Sequence, residues 1–323
     1  MMNILVTGAA GFIGQKVCEF LLESGCNVVG IDNLNDYYDV NLKRKRKEEL
    51  CRKENFQFYE IDIEDKKSLE PIFKKHNFKT VYNLAARAGV RYSIQNPAVY
   101  VSTNVLGNLN ILEMCRVYNV EKFVLASTSS LYAGKPMPFV ESLDVSEPIS
   151  PYAATKKGAE AMAYTYHHLH GIDVSIVRYF TVYGELSRPD MAQLRFMKWI
   201  NEGGDIELFG DGEQARDFTH VDDITLGTIA ASKKLGFEII NLGGGKNPIS
   251  INTMIEIYEK LLNKKAIIRH EAFNSADMKN TWADISKAST LLNWVPRINF
   301  ETGLERCVKH YVDNINFYNK IKL

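Results

Sequence analysis

The sequence predicts an α/β fold: a doubly wound parallel sheet followed by a smaller α/β lobe. Three observations carry that prediction. Short apolar runs alternate with longer amphipathic ones as far as about Ser175, one glycine-rich turn stands where the first short run meets the first long one, and beyond about Gly184 the rhythm becomes irregular. Alternating strands and helices require parallel strands covered by helices on both faces. We therefore expect a first domain over residues 1–184 and a smaller lobe over 185–323, with some segments of the lobe returning to the first domain.

Composition narrows the class further. The 323 residues include 39 basic and 39 acidic side chains, with 46% apolar and 24% charged residues. Average hydrophobicity at zero formal charge excludes a disordered chain and gives no global attraction for nucleic acid or an anionic membrane. No run approaches the ~20 apolar residues of a membrane-spanning helix. The opening Asn3-Ile4-Leu5-Val6-Thr7 reads as a strand rather than a signal peptide, so a cytoplasmic protein is expected. Cys18, Cys26, Cys51, Cys115 and Cys307 are scattered without a CxxC pair, which predicts reduced, structural thiols and neither disulfides nor a zinc site.

Taken in order, strands are expected at residues 4–7, 28–32, 56–61, 80–84, 122–127 and 174–178, where short apolar runs are flanked by polar or turn-forming residues. Helices are expected to begin near Phe12, Leu69, Val105 and Pro151. In the second part, 191–202 reads as a helix, 203–212 as a turn-rich stretch and 238–242 as a strand. Gly243-Gly244-Gly245 reads as a turn, because it lacks the spacing and the acidic partner of a nucleotide site. The run Lys43-Arg44-Lys45-Arg46-Lys47 passes directly into Glu48-Glu49, the mark of a solvated helix rather than a nucleic-acid patch. His167-His168-Leu169-His170 precedes Gly171, where cations suit a helix C-terminus and glycine suits the left-handed cap, so no metal is expected there.

Chemistry concentrates at two places. Gly8-Ala9-Ala10-Gly11-Phe12-Ile13-Gly14 follows the first strand and opens the first helix. Glycines there let the turn close and let backbone N–H groups approach a pyrophosphate, while the helix N-terminus adds partial positive charge. Asp32 ends the second strand, 18 residues past Gly14; an acid at that place accepts from ribose hydroxyls and repels a 2′-phosphate, which favours NAD over NADP. Asp62, followed by Ile63, reads equally as an adenine-edge contact or as a turn or helix-cap aspartate.

The second place is Tyr152-Ala153-Ala154-Thr155-Lys156, whose spacing puts Tyr152 and Lys156 on one helix face. Two further YxxxK pairs, Tyr118 to Lys122 and Tyr318 to Lys322, read as incidental surface or terminal residues, since only Tyr152 and Lys156 fall inside the nucleotide-binding pattern. A free tyrosine titrates near 10, so a tyrosine base needs positive charge beside it. Lys156 and a positive nicotinamide ring would supply that charge, and a hydroxyl at Thr128 would orient the same substrate oxygen for proton loss as hydride leaves the adjacent carbon.

With these residues in place the chain resembles the extended short-chain dehydrogenase/reductases, and within them the NAD-dependent nucleotide-sugar 4-epimerases. The landmarks GAAGFIG (8–14), NLAA (83–86), STSSLY (127–132), YAATK (152–156), RYFTVYG (178–184), ARDFTHVDD (215–223) and WADISKA (282–288) occur in order over nearly the whole chain. Residues 32–39 and 88–92 are similar to UDP-glucuronate 4-epimerases. The resemblance implies a Rossmann domain whose cofactor contacts also include Asn33, Leu84, Ala85, Ala86, Asn104 and Tyr179. It implies Tyr152 as base, Lys156 as the group that tunes it, and Thr128 at the C4 oxygen. Ser129 and Ser130 would border the sugar, Thr181 would lie near the diphosphate, and Arg216 and Asp277 would hold the diphosphate and uridine ribose.

The same resemblance gives Arg188 the carboxylate of a hexuronate. A guanidinium fork suits that group, and a neutral hydroxymethyl would leave the charge unpaired; the alternative is a loop arginine paired with Glu185 or Asp190. The preceding Gly184-Glu185-Leu186-Ser187 departs from the glucuronate epimerases, which carry Pro-Trp-Gly after the glycine. Similar dehydratases and decarboxylases carry Glu where Ser130 stands, and the dehydratases add Asp before it, so the two serines here favour simple oxidation and return reduction. The implied reaction interconverts UDP-glucuronate and UDP-galacturonate through a 4-keto sugar, with a UDP-glucose or UDP-N-acetylglucosamine 4-epimerase as the alternative. An intact Thr–Tyr–Lys set argues against a noncatalytic dinucleotide-binding regulator. Relatives form homodimers through a bundle that includes the YxxxK helix, and Ala159, Ala161 and Ala163 are compatible with close helix packing.

Overall fold

A computed structural model describes residues 2–245, 248–272 and 278–323. Its first six strands are β1 (Asn3–Thr7), β2 (Asn27–Asp32), β3 (Phe56–Glu60), β4 (Thr80–Asn83), β5 (Lys122–Thr128) and β6 (Asp173–Tyr179). They are followed by β7 (Thr181–Tyr183), β8 (Asp205–Phe209), β9 (Ala215–Arg216), β10 (Phe218–His220), β11 (Phe237–Leu242), β12 (Ile249–Ser250) and β13 (Ile267–Glu271). Seven of these form one parallel sheet in the order β11-β6-β5-β4-β1-β2-β3. The strands near the start of the chain thus fall where apolar runs place them, and β11 returns from the second half to flank β6.

Period-two alternation fills both faces of the sheet. Ile4 and Val6 of β1, with Val124 and Ala126 of β5, pack against Val17, Leu21, Ile224 and Leu292 from helices on one side. Leu5, Phe123 and Leu125 point the other way, onto Ile72, Phe73, Ile111, Leu112, Ala159 and Ala163. Ala159 and Ala163 are therefore packed inside the chain. A separate cluster, centred on Leu194, Met197, Ile206, Leu208, Met254, Tyr258, Leu304 and Tyr311, forms the core of the second part.

Local signals explain most boundaries. The Pro151–His170 helix begins with Ser150, whose hydroxyl accepts from the Ala153 N–H, carries Pro151 in its first turn, and ends at Gly171 with φ +68°. His167 turns its Nδ1 to the Ile172 carbonyl at 2.8 Å. The helix expected from Val105 instead starts at Pro97 and runs through a π-helical stretch, Val101–Gly107, into Asn108–Val117. Thr103, Asn104 and Asn108 are polar yet buried, which hid the helix from an apolar-periodicity reading. Residues 203–212 are not all turn: Ile206 and Leu208 drive β8, which pairs in parallel with β13.

Three sequence readings need correction. The basic run does lie on a helix, Val40–Cys51, but it is not a solvated face: Lys43 is buried and Arg46 completely so, alongside Leu42 and Leu50. Their spacing sets these four on one stripe, and the stripe rather than the charge decides which side faces inward. The extra YxxxK pairs are only half incidental: Lys122 is buried against Asp173 and Ser175, and Tyr318 is buried in the core of the second part, whereas Lys322 is an exposed residue near the C-terminal end, as expected. Finally, all five cysteines are free thiols, but Cys51 at the end of its helix is exposed rather than a core residue.

Candidate active site

The sheet order reverses between β1 and β4, so the connections leaving β1 and β4 run in opposite directions and open a crevice at the carboxyl ends of the strands. A cavity of about 450 Å³ occupies this crevice. Gly8, Gly11, Phe12, Ile13 and Gly14 line it, as do Asp32, Asn33, Asp62, Ile63, Leu84, Ala85 and Ala86. Thr128, Ser129, Ser130, Tyr152, Lys156, Tyr179, Thr181, Arg188 and Arg216 line the same space. Residues spread over more than 200 positions therefore share one cavity.

The glycine turn is sterically obligatory. Gly8 has φ +69°, and a Cβ on Gly14 would lie 2.0 Å from the Gly8 carbonyl oxygen. Helix Phe12–Glu23 begins after Gly11 without a capping side chain, so its first-turn N–H groups remain available at the cavity wall. Asp32 Oδ2 accepts from Ala10 N at 3.2 Å and Oδ1 from Leu34 N at 2.9 Å. Each oxygen keeps a lone pair for a ribose hydroxyl. Asn33 donates to Asp62 Oδ2 at 2.6 Å while Asp62 Oδ1 accepts from Glu64 N at 2.9 Å, so Asp62 makes a turn and also faces the cavity. An open helix N-terminus beside a ribose-ready carboxylate fits a dinucleotide with an unphosphorylated 2′-hydroxyl.

Thr128 ends β5 and Tyr152 opens the Pro151–His170 helix, and the two side chains from these distant elements line the same cavity, the Thr128 hydroxyl acting on the Tyr152 phenol. Thr128 Oγ1 also accepts from Ser130 N at 3.1 Å. Burial pushes the Tyr152 phenol above its usual range, opposed by the Thr128 hydrogen bond and by the charge of Arg188. Burial also pulls Lys156 down to about 8, against the opposing charge of Glu160 one turn later. Glu160 is fixed by two Arg178 hydrogen bonds of 2.8 and 2.7 Å and by Ser127 Oγ at 2.6 Å. Tyr100 packs edge-on against Tyr152, ring centroids 6.0 Å apart.

Arg188 reaches the cavity but already has an acidic partner. Its Nε and Nη2 donate to the two oxygens of Asp190 at 3.0 and 2.6 Å, and its guanidinium lies over the Tyr37 ring at 5.8 Å. The pairing named as the alternative is thus present, and it removes the argument that a neutral sugar would leave this charge unpaired. The pair engages one edge of the fork, and a guanidinium has five donors. Glu185 is not the partner: it sits 3.3 Å from His220 Nε2.

Two expected site residues stand apart. Asn104 does not line the cavity; buried in the π-helical stretch, it clamps the Arg87 backbone, accepting from its N–H at 2.8 Å and donating to its carbonyl at 3.0 Å. Asp277 lies outside the described residues. Conversely, Asn35, Tyr37, Lys43, Arg87, Met278 and Thr281 line the cavity without having been expected there. Lys43 is pulled down to about 8 by burial, against the attraction of Asp32. The only sequence sign of this lysine was its place on the Leu42–Leu50 stripe. Among the described residues there is no group of three or more His, Cys, Asp or Glu able to hold a metal, and no helix is long and apolar enough to cross a membrane.

The sheet, its glycine turn and the Thr–Tyr–Lys set define a nucleotide-binding protein of the extended short-chain dehydrogenase/reductase class. Residues 5–307 match the family described as GDP-mannose 4,6 dehydratase, and the chain belongs to that family. It is 59% identical over 319 residues to a UDP-glucuronate 4-epimerase of Thermodesulfobacterium geofontis, covering 99% of both chains. The solved UDP-glucuronic acid 4-epimerase of Bacillus cereus, in complex with UDP-glucuronic acid and NAD, superposes with a TM-score of 0.91 at 40% identity, over 97% of this chain and 99% of that one. A UDP-glucose 4-epimerase of Thermotoga maritima, solved with UDP-glucose, gives 0.89 at 32% identity, over 97% and 100%.

Proposed function

We propose that this protein is an NAD-dependent 4-epimerase that interconverts UDP-glucuronate and UDP-galacturonate. One observation carries the proposal: a single cavity is lined by the glycine turn and Asp32, by Thr128, Tyr152 and Lys156, and by Arg188 with serines rather than acids at 129 and 130. The likeness to the Thermodesulfobacterium and Bacillus enzymes supports the substrate. NAD⁺, which Gly11 to Gly14 and Asp32 would hold, would supply a reversible hydride acceptor for C4, so that oxidation and return reduction balance within one cycle.

The chain's own residues do the rest. Gly11 to Gly14 and Asp32 hold the dinucleotide, and Asn33, Asp62, Leu84 to Ala86 and Tyr179 line the remainder of its site. Tyr152 Oη takes the C4 hydroxyl proton and later returns it, with Thr128 Oγ1 orienting the same oxygen and the Lys156 ammonium stabilising the phenolate. Ser129, Ser130 and Thr181 border the sugar while Arg216 and Asp277 hold the nucleotide. Arg188 binds the carboxylate by the edge that Asp190 leaves open. A 4-keto uronate is a β-keto acid, and a cation held on its carboxylate keeps the electron pair of the C–CO₂⁻ bond in place.

Residues 1–184 serve as the cofactor-binding part, and 185–323 chiefly hold the nucleotide sugar. Exposed Val101, Leu106, Val117, Tyr164 and Leu169 on the 97–117 and Pro151–His170 helices support a homodimer through these helices. A cytoplasmic location is part of this proposal. A UDP-glucose or UDP-N-acetylglucosamine 4-epimerase is the second reading, and the Arg188–Asp190 pair is what favours it, since it neutralises the arginine without substrate. Arg188→Ala separates the two: the uronate reading requires at least a tenfold rise in KM for UDP-glucuronate with little change for UDP-glucose. Equal changes on both sugars would exclude it.

A further inference from the structure

Arg46 is the most deeply buried cation in the basic helix, and its hydrogen bonds join two remote segments to each other and to the residues just before its own helix. Nη1 donates to the Ala10 carbonyl at 3.0 Å and to Tyr38 Oη at 2.7 Å, while Nη2 donates to the Leu186 carbonyl at 2.5 Å. We infer that Arg46 is a positioning residue that ties the glycine turn of the cofactor site to the loop presenting Arg188, and so sets the selectivity for a uronate. This inference rests on the carboxylate-binding reading of Arg188.

The geometry at each end is specific. Ala10 is held on both sides, its N–H by Asp32 and its carbonyl by Arg46. Leu186 is held likewise: its N–H donates to Tyr318 Oη at 3.3 Å and its carbonyl accepts from Arg46. Leu186 has φ +55°, a left-handed conformation that a leucine keeps only when its surroundings enforce it. Arg188 follows two residues later and lies over Tyr37, the neighbour of the Tyr38 that Arg46 also binds. The loop with the departure from the glucuronate-epimerase pattern is thus the loop that this guanidinium grips.

A structural filler would not need this chemistry. Burying a guanidinium is costly unless its donors find acceptors; the two terminal nitrogens of Arg46 find three between them, while its buried Nε has no partner among the described residues, so the fork is held by its outer edge. A lysine at this place has three donors but only one nitrogen, which cannot occupy the two separate positions from which Nη1 and Nη2 reach Ala10 with Tyr38 and Leu186. Loss of Arg46 is therefore expected to release the Leu186 carbonyl and let Arg188 drift from its place above Tyr37.

The test compares the parent enzyme, Arg46→Met, Arg46→Lys, Arg188→Ala and the Arg46→Met/Arg188→Ala double variant, each saturated with NAD⁺. KM and kcat are measured on UDP-glucuronate, and UDP-glucose is measured as a competitive inhibitor. The expected result is a roughly tenfold higher KM for UDP-glucuronate in Arg46→Met, with the UDP-glucose inhibition constant within twofold of the parent, and no further change when Arg46→Met is added to Arg188→Ala. Arg46→Lys should not restore the parent KM. Should Arg46→Met fail to fold, Tyr318→Phe removes the other anchor of Leu186 and should raise the same KM about threefold, again selectively. Equal losses for both nucleotide sugars, or effects of the two arginines that simply multiply, would overturn the role of Arg46. An Arg188→Ala enzyme indifferent to the carboxylate would overturn the reading of Arg188 and this proposal with it.

Discussion

At Tyr152 the burial that raises the pKa is opposed by the Thr128 hydroxyl and, to a smaller extent, by the Arg188 charge. Thr128→Val removes the larger of these lowering contributions, so the acidic limb of the kcat/KM profile should move to higher pH, with activity lost at pH 7 and partly recovered under alkaline conditions. An unmoved limb would show that Thr128 does not act on the base. Tyr152→Phe removes the proton acceptor outright and should lower kcat by about 10²–10⁴-fold while NAD⁺ binding persists. Asp190→Asn tests the other end of the cavity: freeing Arg188 of its partner should tighten UDP-glucuronate and leave UDP-glucose nearly unchanged, as read by their dissociation constants. That Thr128, Tyr152 and Lys156, the proposed acid–base set, share one cavity was legible because they lie in short motifs attached to strand and helix ends. Asp190 beside Arg188 was legible only as an option, since sequence spacing cannot tell whether the loop turns the arginine toward Asp190 or Glu185.

Among the elements, the strand–turn–helix unit at the N-terminus is the least tolerant of change. A Cβ at position 14 meets the Gly8 carbonyl oxygen at 2.0 Å, a backbone contact that cannot rotate away. Gly14→Ala should therefore destabilise the fold by about 1–3 kcal/mol and weaken NAD⁺ binding at the same time. A second element-level test concerns the turn after β11. Asp217 Oδ2 accepts from Ala283 N at 2.8 Å and Gly245 N at 3.3 Å, and burial pushes its carboxyl up to about 6. A folded-state pKa above the unfolded value means the native chain holds the proton more tightly. Its contribution is complete below about pH 4 and is lost as pH rises through 6, on the order of 2–3 kcal/mol. Asp217→Asn should flatten the stability profile across that window, and an unchanged slope in urea titrations would contradict the assignment. The strands of the main sheet could be read from sequence because each apolar run is local. The stripe of the basic helix was legible in its spacing, but the burial of Arg46 on it was not, because one of its acceptors, the Leu186 carbonyl, lies 140 residues away.

For the whole molecule, the decisive fact is convergence. The sheet reverses its winding between β1 and β4, and the cavity at that point is lined by the glycine turn, by Thr128, Tyr152 and Lys156, and by Arg188. The fold class and most of the cavity wall follow from motifs that each occupy a few consecutive residues. The lining by Lys43, Arg87 and Thr281 does not, because it depends on how separate elements stack at the crevice. The central claim is that one cavity oxidises C4 of a uronate and returns the hydride without releasing the carboxylate. An NMR time course of the purified enzyme with NAD⁺ and UDP-glucuronate, following the anomeric and H4 signals, tests it directly. The account predicts conversion to UDP-galacturonate with no UDP-pentose formed; accumulation of a UDP-pentose, or conversion of UDP-glucose with UDP-glucuronate left untouched, would contradict it.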